Sequence, residues 1–449
     1  MHPLIVNQIK RLSGTICVPG DKSISHRAVI LGSLAKGTTR ITGFLMSEDC
    51  MRTVEIFRRL GVDITVMGNE VVITSDGLYG LREPKDDLYA GNSGTTMRLM
   101  LGVLAGQKFT SRITGDDSLC NRPMQRVTKP LRDMEAKITG TVKNDCECAP
   151  IVVSGGELLG IEYKSVLVAS AQVKSAILLA GLYAKGKTSV LEFSKSRDHT
   201  ERMLEYFGVN LDVEEETLER NRVSYKVSID GNSQLKIKDI VVPGDISSAA
   251  FFIVAVSCLE GSEITIKNVG VNPTRTGIID VMKRMGADIE LKNKKIISGE
   301  PRADILVKSS ILKGITIEPD QIPRIIDEIP IIAVAAAVAK GETVIKGVSE
   351  LKVKESNRLM AISNLFHSFG MKLDDCSSKR LVIPGDQKLY GGKCTSLGDH
   401  RIAMTGIIMG LMAKGTTKIF DTDCINTSFP DFVKTLKEVT PKGAIEVEK

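Results

Sequence analysis

Two kinds of helical pattern recur along this chain. One is apolar on nearly every side, as in residues 249–256 and 331–338, which predicts helices buried all round. Both stretches are too short and too close to charges to suggest membrane spans. The other pattern is amphipathic, with Val54, Phe57 and Leu60 at helical spacing. We therefore expect inner apolar helices and outer amphipathic ones.

A punctuating glycine recurs about every 70 to 80 residues. The six positions are Gly37, Gly106, Gly186, Gly261, Gly341 and Gly415. Each is followed by a short predicted strand, a polar loop and an amphipathic helix, and each is preceded by an apolar helix. The period is longer than that of solenoid repeats, so each unit is predicted to be a small subdomain. Six units would form two domains of three units each.

The chain is too long for one core, and one sequence echo predicts where it divides. Residues 18–21 read Val-Pro-Gly-Asp, and residues 242–245 repeat these four residues. If both are strand-to-helix crossings, the chain passes between domains twice. We predict one domain from 1–20 plus 242–449 and another from 21–241. Hinges near residues 20 and 242 would suit a closing cleft.

Polar residues stand where the inner helices should begin. In residues 20–27, Asp21 and Ser23 are typical helix-start residues, which places Lys22 and Arg27 within the first two turns. A helix N-terminus with added cations is an anion site. Taken alone, this stretch fits an ordinary capped helix with solvated cations better. The arrangement recurs, however, at residues 92–98, 170–174, 245–248, 327–328 and 399–401.

The polar loops before the outer helices, such as residues 116–122, 194–198 and 354–358, add further cations. Cations gathered at helix ends repel one another unless an anion separates them. We therefore expect a ligand with several negative charges, carried by phosphate or carboxylate groups. Arginine suits bidentate recognition of such groups.

Two carboxylates among these cations, Asp327 and Glu355, are candidates for general acid and base catalysis. Charge balance is the alternative role for both. At this point the residues do not distinguish the two roles.

Composition narrows the class of protein. The net charge of +6, the absence of Trp and an aromatic content of 4% argue against a nucleic-acid-binding surface. The first residues lack the charged and apolar regions of a secretory signal, so we expect a cytoplasmic protein with reduced thiols. Cys146 and Cys148 have no partner pair at zinc spacing, and we predict no metal site.

Five motifs, in order along nearly the whole chain, closely resemble the 5-enolpyruvylshikimate-3-phosphate (EPSP) synthase family. They occupy residues 20–27, 91–98, 119–124, 354–359 and 398–404. The resemblance implies a two-domain inside-out α/β barrel, each domain built from three βαβαββ units with inner helices and outer sheets. This agrees with the repeat pattern.

The resemblance also implies a reaction. The enolpyruvyl group of phosphoenolpyruvate (PEP) would pass to the 5-hydroxyl of shikimate 3-phosphate, releasing phosphate, in the shikimate pathway of aromatic amino-acid biosynthesis. These two small molecules would be its only partners, with no cofactor, no nucleic acid and no membrane, and we expect a monomer.

Site residues follow from the motifs by resemblance. Those expected to bind shikimate 3-phosphate are Lys22, Ser23, Arg27, Ser170, Gln172, Arg197, Asp327 and Lys354. Those expected to bind PEP are Lys22, Gly94, Arg122, Gln172, Arg358 and Arg401. The domain formed by 1–20 plus 242–449 would thus carry the PEP-side groups Glu355, Arg358 and Arg401, and the domain at 21–241 would form the shikimate 3-phosphate side.

The catalytic residues expected from the family are Asp327, Glu355 and Lys22. Asp327 resembles the base that faces the 5-hydroxyl, and Glu355 resembles the acid that protonates the PEP methylene. Which of the three groups moves which proton stays open.

The chain departs from one branch of the family. Residues 426–430 lack that branch's last-loop Lys, Leu99 stands in place of its Pro, and the run ending at His199 replaces its Tyr. The pattern resembles the second class, which contains glyphosate-tolerant members.

Two alternative functions remain. A UDP-N-acetylglucosamine enolpyruvyl transferase would carry a reactive Cys further ahead of the loop Arg than Cys120 is from Arg122, so we expect Cys120 to pack. That family also has Lys-Asn where this chain has Lys22-Ser23. A non-catalytic phosphometabolite-binding protein would not need Asp327 and Glu355 together.

Overall fold

The computed structural model describes residues 3–143, 145–165, 170–217, 223–231 and 233–448. The protein is a mixed α/β structure of many small sheets and helices. Its α-helices are α1 Lys22–Leu34, α2 Glu48–Arg59, α3 Gly94–Ala105, α4 Gln125–Asp133, α5 Ala171–Gly181, α6 His199–Tyr206, α7 Ile246–Cys258, α8 Gly277–Arg284, α9 Ile322–Ile325, α10 Ile329–Val338, α11 Arg358–Ser368, α12 His400–Met412 and α13 Phe432–Val439.

The strands are short. They are β1 Leu4–Asn7, β2 Ser13–Cys17, β3 Lys36–Thr42, β4 Asp63–Met67, β5 Glu70–Asp76, β6 Leu88–Tyr89, β7 Thr110–Thr114, β8 Lys137–Lys143, β9 Cys146–Ser154, β10 Leu158–Leu159, β11 Glu162–Ser165, β12 Ala184–Lys185, β13 Lys187–Glu192, β14 Leu211–Thr217, β15 Val223–Asp230, β16 Ile240–Val241, β17 Glu263–Gly270, β18 Asp288–Ile297, β19 Glu300–Lys308, β20 Thr316–Ile317, β21 Thr343–Lys346, β22 Asp375–Cys376, β23 Arg380–Ile383, β24 Lys393–Thr395, β25 Thr416–Phe420 and β26 Ile445–Val447.

The chain separates into two compact units. Unit 1 comprises Met1–Pro19, Pro243–Ile296 and Pro301–Lys449, and unit 2 comprises Gly20–Val242 and Ile297–Glu300. From the sequence we predict boundaries near residues 20 and 242, and nothing in its pattern indicates that Ile297–Glu300 belongs to unit 2. Ile297 is the last residue of β18 and Glu300 the first of β19, and this connection groups with unit 2. The predicted hinge motion stays a prediction.

One strand-pairing pattern recurs in six four-stranded sheets. The strands that contain or closely follow a punctuating glycine are β3, β7, β13, β17, β21 and β25. Each has one parallel and one antiparallel neighbour. The parallel neighbour comes earlier in the chain in five sheets, and in the sheet of β3 it is the later strand β16. The glycine period of the sequence therefore corresponds to a repeated strand arrangement, three sheets in each unit.

The apolar helices lie inside the units, as their sequence pattern predicts. In α7 every residue but Cys258 is buried, and in α10 every residue but Val338 is buried. Helices α7, α10 and α12 pack on one another in unit 1. In unit 2, α3 packs on both α1 and α5, and Arg27 of α1 donates to Ser175 of α5. The amphipathic helices bury one face only; in α2, Val54 and Phe57 point into the core. Among the described residues, no helix is long and apolar enough to cross a membrane.

Two of the inner helices of unit 2 cross at a glycine. A Cβ added at Gly102 of α3 would lie 2.1 Å from the carbonyl oxygen of Ala176 in α5. Backbone cannot move aside as a side chain can, so the contact requires a residue without a Cβ.

We therefore predict that Gly102→Ala lowers the free energy of unfolding by about 3 kcal/mol, because the two helices must separate. Helix propensity alone would change stability in the opposite direction. Chemical denaturation of purified protein measures the effect. Gly156→Ala is the control, since a Cβ there meets no atom within 4 Å. Unchanged or increased stability of Gly102→Ala would contradict the close crossing.

Candidate active site

The start of α1 carries the first group of predicted site residues. Asp21 caps the helix, its Oδ1 accepting a hydrogen bond from the Ile24 amide at 2.9 Å. The next residue, Lys22, places its Nζ 2.8 Å from Oδ2 of Asp49, beside the start of α2. The helix end therefore holds a cation that is already matched by one carboxylate.

Arg27 lies one turn further and is buried among neutral groups. Its Nη1 donates to the Ser23 carbonyl at 2.9 Å, its Nε to Thr200 Oγ1 at 2.7 Å and its Nη2 to Ser175 Oγ at 2.7 Å. Burial lowers the pKa of Arg27 to about 10, an effect that the charge of Glu201 partly offsets. None of the described carboxylates forms an ion pair with it.

The loop before α3 brings two arginines beside Gly94. Ser93 caps the helix through the Thr96 amide, and Gly94 is the first helical residue. A Cβ at Gly94 would lie 2.8 Å from Nη1 of Arg98 and 3.5 Å from Nη1 of Arg122. The missing side chain thus leaves room for two guanidinium groups, an arrangement suited to an anion.

Two partners hold Arg122 in place. Its Nη2 donates to Asn92 Oδ1 at 2.6 Å and to Ser118 Oγ at 3.2 Å. Asn92 in turn donates from Nδ2 to Asp116 Oδ2 at 2.7 Å. The loops at 91–94 and 116–122, predicted separately from the sequence, therefore form one hydrogen-bonded group.

Gln172 joins this group through Arg98. Nη1 of Arg98 donates to Gln172 Oε1 at 2.7 Å, and Gln172 Nε2 donates to Thr95 Oγ1 at 2.9 Å. Ser170, the N-cap residue of α5, precedes Gln172 by two residues. Arg98 is absent from the residues that the sequence analysis selected. Its position four residues after Gly94, on the same helix face, was the available signal.

Arg197 lies in the loop between β13 and α6 and is half-buried. Its charge is among the influences that lower the pKa of Arg27, after burial. The predicted shikimate 3-phosphate ligands of unit 2 thus lie at the N-terminal ends of α1 and α5 and before α6.

In unit 1, Arg358 is the centre of a charged cluster. It begins α11, its side chain has 0% exposure, and its Nε lies 2.8 Å from Asp399 Oδ2. Its Nη2 lies 2.7 Å from Glu355 Oε2, and its Nη1 lies 3.5 Å from Asp327 Oδ1. Although burial disfavours its charged form, these three carboxylates raise the pKa of Arg358.

Asp399, the partner of Arg358, lies within a motif quoted from the sequence but was not selected there as a site residue. This residue caps α12 by accepting from the Arg401 amide at 2.9 Å, and it accepts a second bond from Ser356 Oγ at 3.0 Å. Burial favours the neutral carboxyl, but the charge of Arg358 holds the pKa of Asp399 below its usual value. Its place immediately before a predicted helix was the available signal, and the motif 398–404 contained it.

Asp327 lies between three cations of this cluster. Besides Arg358, Lys354 Nζ and Arg401 Nη2 are each 3.8 Å from its carboxylate oxygens. The unit 1 residues selected from sequence therefore come together: Asp327, Lys354, Glu355, Arg358 and Arg401. Such a cluster can hold an anion and can move protons through its carboxylates.

Potential metal ligands and cysteines were located in the described part of the chain. It holds no group of three or more His, Cys, Asp or Glu side chains arranged to bind a metal ion. All nine cysteines are free. Cys120 is buried, with its Sγ 3.4 Å from the Gly115 carbonyl and 3.6 Å from Thr114 Oγ1, so it packs as predicted.

Comparison with known proteins gives concordant results. The family model of EPSP synthase (3-phosphoshikimate 1-carboxyvinyltransferase) matches residues 6–436. A 3-phosphoshikimate 1-carboxyvinyltransferase of Desulforamulus reducens is 53% identical over 437 residues, which cover 97% of this chain and 99% of that protein. The corresponding protein of Brevibacillus brevis is 51% identical over 437 residues, covering 97% and 100%.

Solved structures extend the similarity to the fold. The EPSP synthase of Acinetobacter baumannii superimposes with a TM-score of 0.86 at 44% sequence identity, over 100% of both chains. The similarity in sequence and in fold thus spans both units. From these matches we conclude that the chain belongs to the EPSP synthase family.

Proposed function

We propose that this protein transfers the enolpyruvyl group of PEP to the 5-hydroxyl of shikimate 3-phosphate and releases phosphate, a step of aromatic amino-acid biosynthesis. The observation that carries the proposal is the cluster around Arg358, where acidic and basic groups alternate at 2.7–3.8 Å. The chain that contains this cluster is about half identical in sequence to proteins named 3-phosphoshikimate 1-carboxyvinyltransferase.

We propose that each unit is an inside-out α/β barrel of three βαβαββ units, with the helices inside and the sheets outside. The sixfold strand pairing and the packing of buried helices in threes support this description. Hinges near residues 20 and 242 belong to the same proposal, because the site residues selected from the sequence divide between the two units. A monomeric state remains part of the prediction.

Shikimate 3-phosphate would take its contacts from two sets of residues. In unit 2 these are Lys22, Ser23, Arg27, Ser170, Gln172 and Arg197, and in unit 1 they are Asp327 and Lys354. Helix N-termini and fixed cations stabilise a phosphate dianion, which supports this assignment. For PEP we propose Lys22, Gly94, Arg122, Gln172, Arg358 and Arg401. Paired guanidinium groups suit its carboxylate and its phosphate.

The reaction requires three proton movements. The 5-hydroxyl oxygen bonds to C2 of PEP while its proton passes to Asp327. Glu355 gives a proton to the methylene carbon, which becomes a methyl group. Phosphate then leaves C2, and a methyl proton returns to the Glu355 carboxylate, which restores the double bond. Lys22 is the further candidate for moving one of these protons.

The contact between Glu355 and Arg358 is one that the binding of PEP would change. An anion that binds Arg358 competes with Glu355 for Nη2, because every donor nitrogen of the guanidinium already faces a carboxylate. A displaced Glu355 would lose one of the charges that favour its ionised form. Asp399, which has no exposed surface, stays with Arg358.

We predict that Asp327→Asn and Glu355→Gln each lower kcat roughly 10²–10⁴-fold, the usual contribution of a general acid or base. The KM values should change much less, because both replacements keep the size of the side chain. Steady-state phosphate release with varied PEP and shikimate 3-phosphate measures both constants.

Matched controls are Asp320→Asn and Glu342→Gln, which make the same chemical changes at exposed positions of unit 1. They should keep the wild-type kcat. If a variant of Asp327 or Glu355 turned over normally, or lost only affinity, that residue would be assigned to charge balance.

Cys120 distinguishes the proposed reaction from that of UDP-N-acetylglucosamine enolpyruvyl transferase. Because the thiol packs against Gly115 and Thr114, we expect Cys120→Ser to keep most of the activity. Incubation of the wild-type enzyme with a thiol-alkylating epoxide should leave its turnover intact. Abolished turnover in a folded Cys120→Ser protein would favour the alternative transferase.

A further inference from the structure

A buried lysine joins three elements of unit 2. Lys174 on α5 places its Nζ 2.8 Å from Glu192 Oε2 at the end of β13, and 2.7 Å from Glu201 Oε1 on α6. The side chains of Lys174, Glu192 and Glu201 are 3%, 2% and 11% exposed. Burial disfavours the ammonium, but the two carboxylates outweigh it and raise the pKa of Lys174 to about 12. We call these three residues the ionic anchor.

The ionic anchor fixes both ends of the loop that carries Arg197. Glu192 is the last residue of β13, and Glu201 lies in the first turn of α6. Inside the loop, the Ser196 amide donates to Glu192 Oε2 at 3.3 Å. Arg197 is therefore attached to a segment whose two ends meet at one ammonium group.

The same two helices hold Arg27 through neighbouring residues. Ser175 follows Lys174 on α5, and Thr200 precedes Glu201 on α6. The two hydroxyl oxygens lie 2.6 Å apart, and each accepts a bond from Arg27 at 2.7 Å. A shift of either helix relative to the other would therefore move the acceptors of Arg27.

The ionic anchor also acts on Arg27 through its charge. The ionic anchor contains two carboxylates and one ammonium, and the charge of Glu201 favours the charged form of Arg27. No described carboxylate touches the Arg27 guanidinium itself. Arg27 is thus compensated from a distance, and no acidic side chain competes with an anionic substrate for its donors.

We propose that Lys174, Glu192 and Glu201 are positioning residues for shikimate 3-phosphate, acting through Thr200 and Ser175 on Arg27. The inference rests on the proposed function. It predicts that loss of the anchor weakens shikimate 3-phosphate and leaves PEP nearly unaffected, which a general loss of structure would not do.

The first experiment removes one acceptor of Arg27. Thr200→Val keeps the shape of the side chain and should weaken shikimate 3-phosphate about tenfold by calorimetric titration, as loss of a hydrogen bond to a charged group implies. The KM for PEP should change less than twofold. Thr200→Ser, which keeps the hydroxyl, should bind like the wild type.

Thr188→Val is the matched control. Thr188 is a buried threonine of β13 in the same unit, and its hydroxyl has no hydrogen-bond partner in the described structure. This variant should keep both affinities. Equal weakening of both substrates by Thr200→Val, or failure of Thr200→Ser to restore affinity, would overturn the proposal.

The second experiment tests the anchor itself. Glu201→Gln keeps the size of the side chain and should weaken shikimate 3-phosphate about tenfold without a matching effect on PEP. If Glu201→Gln does not fold, Glu192→Gln takes its place with the same expectation. The Thr200→Val/Glu201→Gln double variant should lose little more than either single variant, because both act on Arg27. Additive losses, or unchanged affinity in the single anchor variant, would refute the inference.

The wild-type measurements separate this inference from the proposed function. A wild-type protein that neither binds shikimate 3-phosphate nor releases phosphate from the substrate pair would refute the function. A wild-type protein that does both, with anchor variants of unchanged affinity, would refute only the positioning role.

Discussion

A helix surrounded by apolar side chains must still satisfy the amide groups of its first turn, and much of this structure follows from that constraint. Four of the six inner helices begin with a side chain that accepts one of these amides: Asp21, Ser93, Asp245 and Asp399. Several candidate site residues, among them Lys22, Gly94 and Arg401, lie at these polar ends, whereas Arg122, Arg197 and Arg358 lie before or at the start of outer helices. Part of the candidate site therefore lies where the buried helices require polar groups in any case.

The two units use their arginines differently. Arg358 is held by carboxylates at ion-pair distance, and one of them also caps a helix, so its position is tied to the start of α12. Arg27 is held by hydroxyl and carbonyl oxygens. The carboxylate of Glu201, the residue after Thr200, favours the charged form of Arg27 without contacting it. Around Arg358, an anionic ligand would displace a carboxylate, and the carboxylates there can exchange protons. Arg27 offers a cation whose direct partners are neutral.

The sequence predicted those features that depend on local pattern. The buried helices, the amphipathic ones and the cap at Asp21 follow from periodicity and from helix-start chemistry, and the structure confirms them. The pairings between residues far apart in the chain could not be predicted from the sequence. Arg27 finds its hydroxyl partners 148 and 173 residues away, and Arg358 meets Asp399 across 41 residues. Periodicity indicates which face of a helix is buried, but not which side chain of another element meets it.

The turn at 297–300 has a consequence for how the protein could be recombined. His199 Nδ1 lies 2.7 Å from Glu300 Oε1, and both side chains are almost fully buried. A continuous segment from Gly20 to Val242 would carry His199 without this carboxylate, since Glu300 arrives from a later part of the chain. The second unit is therefore not a self-contained insertion. Chimeras between relatives that are joined at the two crossings would have to inherit a compatible residue at 300 with their residue at 199, so these two distant positions should be exchanged together.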